Sequence, residues 1–362
     1  LKILLVDSGG SGFTTRYTYD VYSTLVEDSK YLVRQASPLH LTANLINNFQ
    51  PDLLLVMHGT FTPLSLVRYA KTRGAITVLW LVEDPYEIDQ HRGEMVNSYD
   101  YVFTNEKLAV SEYSRPHVYY LPWCCNPLVH KSMAVSEAYR SDLCFVGMGF
   151  RNRVRIINAI APQIEQLNVK LIGDWHSWGE ELRPNLKKFV LPVENDFREV
   201  QKYYNGAKLN LNIHRDPVDP PYGNSFNIGA VSPNDRTFAL AGCGVSQLVD
   251  RGRPALWECF NDGTEIVGFS DPVDLSQKIN YYLANPQLRE AIGRAAQKKA
   301  YGEHLFKHRL TEIFRIIGPA TRRNVTMAKV TTGKRRTGPV SASVFGSSSR
   351  SFYSTNQASG RR

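Results

Sequence analysis

Asn234-Asp235-Arg236-Thr237-Phe238-Ala239-Leu240-Ala241-Gly242-Cys243-Gly244, continuing shortly afterwards into Gln247-Leu248-Val249-Asp250, is the stretch that decides the fold. It reads as a helix of small residues that ends in Gly-Cys-Gly and feeds an apolar strand closing on Asp. Helix followed by strand is the repeating unit of a parallel sheet covered by helices on both faces. The same alternation extends outward on either side. Strands are predicted at Leu143 to Val146, Val169 to Ile172, Lys208 to Ile213, Val245 to Leu248 and Glu265 to Phe269. The first half repeats the plan with strands at Lys2 to Val6, Asp52 to Met57, Ala75 to Leu81 and Tyr101 to Thr104. A helix from Pro63 to Arg73 closes there on Gly74. After the decisive stretch, Asp271-Pro272 with Leu275, Ile279 and Leu283 gives an N-cap, a first-turn proline and one apolar face. Asn285-Pro286 opens a second such helix, and a last one runs through Leu310, Ile313, Phe314 and Ile317. Pro162 predicts a kink or a break in the helical stretch after Val154. The class is α/β with two Rossmann-like units.

Composition agrees. The chain has 362 residues, 43% apolar and 21% charged, which is the balance of a globular protein and enough for two domains. Apolar runs such as Leu53 to Met57 and Ala75 to Val82 fall far short of the roughly 20 residues that cross a bilayer. The chain opens directly on a strand, and its five cysteines show neither CxxC spacing nor a disulfide framework, so a cytoplasmic protein with reduced thiols is expected. The net charge of +9 is local. Nine basic residues and no acidic ones lie between Pro319 and Arg362, so residues 1–318 carry 34 charges of each sign. That Ser-, Gly- and Arg-rich segment lacks periodicity and reads as a disordered tail able to contact a polyanion. The expected division is residues 1–137, 138–318 and 319–362.

The absent motifs narrow the chemistry. There is no GxxxxGK[ST] loop, which argues against a P-loop nucleotidase. Gly10-Ser11-Gly12 follows the first strand, but Thr15 stands where a dinucleotide fingerprint needs its third glycine, and a tight turn explains the cluster equally well. No Asp-x-Asp pair occurs, so no metal-held diphosphate of that kind is expected. A diphosphate would instead need arginines and helix N-termini. Val146-Gly147-Met148-Gly149 leads through Arg151 and Arg153 into a helix, where amides and guanidinium groups can converge on one anion; a plain turn with solvated arginines is the alternative. His304 and His308 share a helix face but lack a third ligand, so no metal site is expected.

The Asn234 to Asp250 stretch resembles the donor-lobe motif of the spore maturation protein CgeB-like glycosyltransferases, roughly N-x-R-x-F-E, a small-residue helix, G-C-G and an apolar strand ending in Asp. The likeness continues through Arg253-Pro254-Ala255-Leu256, Asp262 to Val267, Tyr281-Tyr282-Leu283 and Glu303-His304 to His308-Arg309, covering about residues 140 to 318. Trp80-Leu81-Val82-Glu83-Asp84-Pro85-Tyr86 is similar to an acidic strand-end motif of the family's first domain. The resemblance implies a GT-B fold, two facing Rossmann-like lobes with the donor on the second. It implies sugar transfer from an NDP-sugar, UDP-sugar foremost, to an unidentified saccharide, protein or other polymer. No cofactor or catalytic metal is implied, the NDP-sugar being a co-substrate.

Carried over, the motif puts Asn234, Arg236 and Phe238 at the donor, with Gly242 and Gly244 allowing close packing near the nucleotide. Gly147, Arg151, Arg153, Asn212 and His214 join them because strand C-termini line the crevice of such sheets. The acceptor-side loops hold Gly9, Gly10, Ser11 and His58. Glu83 and Asp84 are the leading general bases, with Asp7 and His58 as alternatives. One departure stands out: Ala239 replaces the family's Glu, which in related transferases is thought to accept hydrogen bonds from the donor ribose. A catalytically lapsed nucleotide-sugar-binding or scaffold protein is the alternative reading.

Overall fold

The computed structural model describes residues 1–10, 13–192, 196–218 and 223–331, with backbone alone for 13–15 and 319–331. Twelve strands form two sheets among these residues. The first contains β1 (Lys2–Val6), β2 (Leu32–Ala36), β3 (Leu53–Met57), β4 (Ile76–Leu81), β5 (Tyr101–Thr104) and β6 (Val118–Tyr120). The second contains β7 (Ser141–Val146), β8 (Val169–Ile172), β9 (Val190–Leu191), β10 (Ala207–Asn212), β11 (Gln247–Asp250) and β12 (Val267–Phe269). Their orders are β2-β1-β3-β4-β5-β6 and β12-β11-β10-β7-β8-β9. Every pairing is parallel. Both orders reverse direction once, between β1 and β3 in the first sheet and between β7 and β10 in the second. Loops diverge at such a switch point and leave a crevice at the strand C-termini.

Strands β3 and β4 are buried along their whole length, which is why they read as continuous apolar runs. The strands that sequence patterning missed are β2, β6 and β9. β2 is a largely exposed edge strand, and β6 and β9 have three and two residues, too few to show a period. The Pro162 break is real: one helix spans Arg151–Ala159 and the next Ala161–Ile164. Asp271 caps the helix Pro272–Ala284 by accepting from the amides of Val273 and Asp274.

Compactness divides the chain into Leu1–Asn324 and Val325–Arg362. The last helix, Phe306–Thr331, begins in the first unit, where its residues up to Ile317 leave the second sheet and pack on the first. Phe306 lies 6.1 Å from Trp80 and Phe314 5.0 Å from Tyr31, ring centre to ring centre. Arg309 secures the return, donating to the carbonyls of Pro122 at 2.7 Å and Trp123 at 2.9 Å. The described helix reaches Thr331 and so runs through Gly318-Pro319. The remaining tail, 332–362, lies outside the described residues. Among the described residues, no helix is long and apolar enough to cross a membrane. All five cysteines are buried free thiols.

Candidate active site

A cleft of about 230 Å³ opens where the C-terminal ends of the two sheets face each other. On the second-lobe side, β7 runs into Gly147, whose φ of +148° lies in a region that side chains rarely adopt. The helix Arg151–Ala159 follows, and its N-cap Phe150 supplies no side-chain acceptor for the first-turn amides. One turn in, Arg153 is buried. Its Nε donates to the Ile213 carbonyl and its Nη1 to the Met148 carbonyl, both at 2.9 Å, and its guanidinium lies over the rings of Phe150 and Phe145.

Arg236 arrives from the first turn of the helix Asp235–Cys243. It donates through Nη1 to Asn212 Oδ1 at 3.2 Å and also covers Phe145, at 4.7 Å, while its buried Nε has no partner among the described residues. A β-carbon on Gly147 would lie 3.4 Å from Arg153 Nη1 and would collide with Arg236 Nη2, so both cations crowd the same backbone turn. Neither is in an ion pair among the described residues. Burial first, and the charge of Arg236 second, press the pKa of Arg153 well below the usual arginine range. Two like charges held together with no ion pair among the described residues make surroundings that favour an anion.

The neighbouring groups hold this pair in place. Asn212, wholly buried, donates to Thr237 Oγ1 at 2.8 Å and Gln247 Oε1 at 2.9 Å, and its own Oδ1 accepts from Asn234 Nδ2 at 2.9 Å as well as from Arg236. Asn234 caps the helix by accepting from the Thr237 amide at 3.0 Å. His214, just beyond β10, meets Asp250 at the end of β11, with Nδ1 2.8 Å from Oδ2. A carboxylate only accepts, so Nδ1 carries the proton and Nε2, buried and unpartnered, keeps its lone pair. Burial favours protonated Asp250, but His214 and Arg253 outweigh it and hold its pKa far below the usual range. Burial likewise lowers the pKa of His214.

Glu83 comes from the first lobe, just past β4. Its carboxyl makes no hydrogen bond among the described residues, and burial, reinforced by the nearby Glu87 charge, raises its pKa to about 7. Arg16 and Tyr17 line the same cleft and reach across it: Asp235 Oδ2 accepts from Arg16 Nη2 at 2.7 Å and from Tyr17 OH at 3.0 Å.

The structure corrects several expectations. The Asp84 side chain is fully buried and accepts from Thr104 at 2.5 Å, Tyr113 at 2.7 Å and His91 at 2.7 Å, so it has no capacity left to take a proton from substrate. His58 turns to Glu87, with Nε2 3.1 Å from Oε2, and lies outside the cleft wall. Gly9, with φ of +70°, and Gly10 and Asp7 beside it form the turn after β1 and do not line the cleft, while Ser11 lies outside the described residues. Arg151 is exposed and points toward Gly179. Phe238 is a core residue whose ring meets Phe260 at a tilt and His304 edge-on. Gly242 and Gly244 do permit close packing, but at the far end of the helix. Gly242 faces His130 and Cys125, and Gly244 caps the helix with φ of +73°. His304 and His308 bond separately, to Cys259 and Leu305. The patterns missed Arg16, Tyr17, Glu106, Tyr204 and Arg215, all lining the cleft. Arg215 and Glu106 were readable as residues just past predicted strand ends; the others come from positions with no motif.

Residues 151–315, which include Arg153, His214 and Arg236, match a family described as glycosyl transferase-like. Over 317 residues the chain is 27% identical to the spore protein CgeB of Bacillus subtilis (strain 168), covering 83% of this chain and 93% of that protein. The chain resembles the CgeB-like glycosyltransferases. Among solved structures, this CgeB-like chain superposes on sucrose-phosphate synthase from Thermosynechococcus elongatus with a TM-score of 0.60 at 10% identity, covering 90% of this chain and 99% of that one. It superposes on Anabaena HepE in complex with UDP-glucose with a TM-score of 0.55 at 14% identity, covering 91% and 99%. The fold is GT-B.

Proposed function

We propose that this CgeB-like protein transfers a sugar from an NDP-sugar, UDP-sugar foremost, to a hydroxyl or amine acceptor on a saccharide, protein or other polymer. The observation that carries the proposal is the Arg153–Arg236 pair, two guanidinium groups at the strand switch point with no ion pair among the described residues, with the Glu83 carboxyl, which has no hydrogen bond among those residues, in the wall of the same cleft. The diphosphate sits on the two arginines and the Gly147 turn, which take up charge as the bond from the anomeric carbon to the diphosphate oxygen breaks. The acceptor oxygen bonds to that carbon and its proton goes to Glu83. His214 Nε2 accepts from a donor hydroxyl. The arginines neutralise the leaving group, so the reaction requires neither a metal on the diphosphate nor a further cofactor. The complex of HepE with UDP-glucose, on a similar fold, supports the choice of donor. Buried free thiols suit a cytoplasmic location.

Isothermal titration of the full chain with a panel of NDP-sugars and NDPs in the presence of EDTA tests the reading. One NDP-sugar binds, and Arg236→Ala weakens it; absence of binding to every NDP overturns the proposal. A second reading, donor binding without turnover, is favoured by Ala239. This residue is buried with Cys144, Val146 and Tyr204 in an apolar cluster, so no carboxylate meets the ribose from that position. Release of free NDP on incubation with the bound donor separates the two, since a binding protein releases none. The nine basic residues beyond Gly318 add contact to a polyanionic acceptor. Heparin binding that weakens with salt and vanishes from a chain ended at Gly318 is the expected result.

A further inference from the structure

Behind the first-lobe wall of the cleft lies a cluster that the proposed transfer reaction does not use. Strands β3 and β4 run side by side, with Met57 opposite Trp80, and their following segments bring together His58, Glu87 and His91. One ligand-type atom from each lies within 4.8 Å of the others. His58 adopts a left-handed φ of +65°, uncommon for a side-chain-bearing residue, and its amide is fixed on the Trp80 carbonyl at 2.8 Å. Its Nε2 lies 3.1 Å from Glu87 Oε2. His91 Nε2 lies 4.0 Å from that same oxygen.

His91 carries the argument. It is completely buried, and its Nδ1 lies 2.7 Å from Asp84 Oδ1. The carboxylate accepts, so the proton of a neutral His91 is on Nδ1 and the lone pair is on Nε2. That Nε2 is buried with no hydrogen-bond partner among the described residues, and the polar atom it approaches is a carboxylate oxygen. Two electron-pair donors facing each other, the imidazole fully buried and the carboxylate partly exposed, call for a group between them: a second proton on His91, a bridging water or a metal ion. Three features favour the metal. The donor set is two imidazoles and one carboxylate, which suits borderline dications rather than oxygen-seeking Mg²⁺ or Ca²⁺. Asp84 holds the ring by its far nitrogen, as an orienting carboxylate does for a ligating histidine, and is itself fixed by Thr104 and Tyr113. The separations of 3.1 and 4.0 Å bracket the ligand-to-ligand distance of about 3.4 Å that bonds of about 2.0–2.2 Å give in a tetrahedron.

We propose that His58, Glu87 and His91 bind one divalent cation of the zinc class, with Asp84 orienting His91 and solvent at the fourth position beside the partly exposed Glu87. None of the three ligands lines the cleft, so this ion ties the segments after β3 and β4 together behind Glu83 and Tyr86 and stands apart from the diphosphate. The inference is independent of the proposed sugar transfer.

Full-length protein stripped with a chelator and dialysed is titrated with Zn²⁺ by calorimetry and with Co²⁺ by visible absorption. One equivalent binds, Co²⁺ develops the d–d bands of a low-coordinate site, Zn²⁺ raises the melting temperature, and Mg²⁺ does neither. Glu87→Gln and His58→Gln each weaken Zn²⁺ binding at least 100-fold; both leave the Asp84 network intact, so folding is preserved even if His91→Ala does not fold. Failure to bind one equivalent, or binding that both variants retain, overturns the proposal and leaves a proton or a water between His91 and Glu87.

Discussion

Among the described residues the Glu83 carboxyl has no hydrogen bond and Arg236 no ion pair, and each makes a prediction of opposite sign for stability and for function. The Glu83 carboxyl has a usual value near 4.5 and is raised to about 7 by burial and then by Glu87. As a general base it acts only when ionised, so kcat/KM should rise with pH through about 7. Glu83→Gln should lower kcat by roughly 10² to 10⁴ and remove that limb. Its folded-state pKa exceeds the unfolded one, so the wild-type carboxyl costs the protein stability as pH climbs from about 4.5 to about 7, and the loss is constant above that. Glu83→Gln should therefore stabilise the protein at pH 8, on the order of 2 kcal/mol, and scarcely at pH 5, as read by thermal melts at the two pH values. Arg236→Ala removes one of two crowded cations. Donor affinity should fall about 10- to 100-fold by calorimetry, while the free protein's melting temperature holds or rises because Arg153 loses a like-charged neighbour.

The helix Asp235–Cys243 is the element on which the site depends. Asn234 caps its start, Gly244 ends it in a left-handed turn, and Thr237 through Cys243 are all buried. This explains its small residues: at its far end Gly242 sits against His130 and Cys125, where a β-carbon would lie 2.8 Å from His130 Cβ. Ala239 is three residues beyond Arg236 and therefore on the adjoining face, one layer behind the cleft among apolar side chains. Ala239→Glu buries a carboxyl there and should cost at least about 2 kcal/mol in the free protein. UDP-sugar should restore part of the lost melting temperature, because the side chain rises from beneath Arg236. A loss that no donor reverses would put the position beyond the nucleotide's reach.

Across the molecule, the lobes are tied by buried polar contacts as well as by the returning C-terminal helix. Glu106, just past β5, accepts from the amides of Val231 and Ser232, and the Lys107 amide donates to Ser232 Oγ at 3.0 Å. Arg16 meets Asp235 at the cleft itself. Burial opposes the Asp235 charge, but Arg16 and Arg236 outweigh it and keep its carboxyl below the usual range, so this contact persists at neutral pH and weakens in acid. Asp235→Asn leaves the buried Arg16 with only Asp20, at 3.9 Å. It should cost about 3 to 5 kcal/mol in urea unfolding.

The sequence by itself determined the α/β class, nine of the twelve strands, the cap at Asp271, the break near Pro162 and the segment carrying Asn234 and Arg236. All of these are written locally, in apolar periodicity, proline and glycine placement, and a contiguous motif. It also singled out Glu83, Gly147, Arg153 and His214 as strand-end residues. Tertiary structure alone decided what each side chain meets. Glu83 and Asp84 are neighbours in sequence, yet one carboxyl is left without a hydrogen bond in the cleft wall and the other is saturated by three donors. Arg151 and Arg153 share a helical turn, but only Arg153 joins Arg236, because the other faces solvent. Arg16 reaches Asp235, and His58 reaches Glu87 and His91, across separations that no local pattern encodes. The periodicity of a chain fixes which face is buried, whereas the partner waiting on that face is set by how the two sheets and their strand-end segments come together.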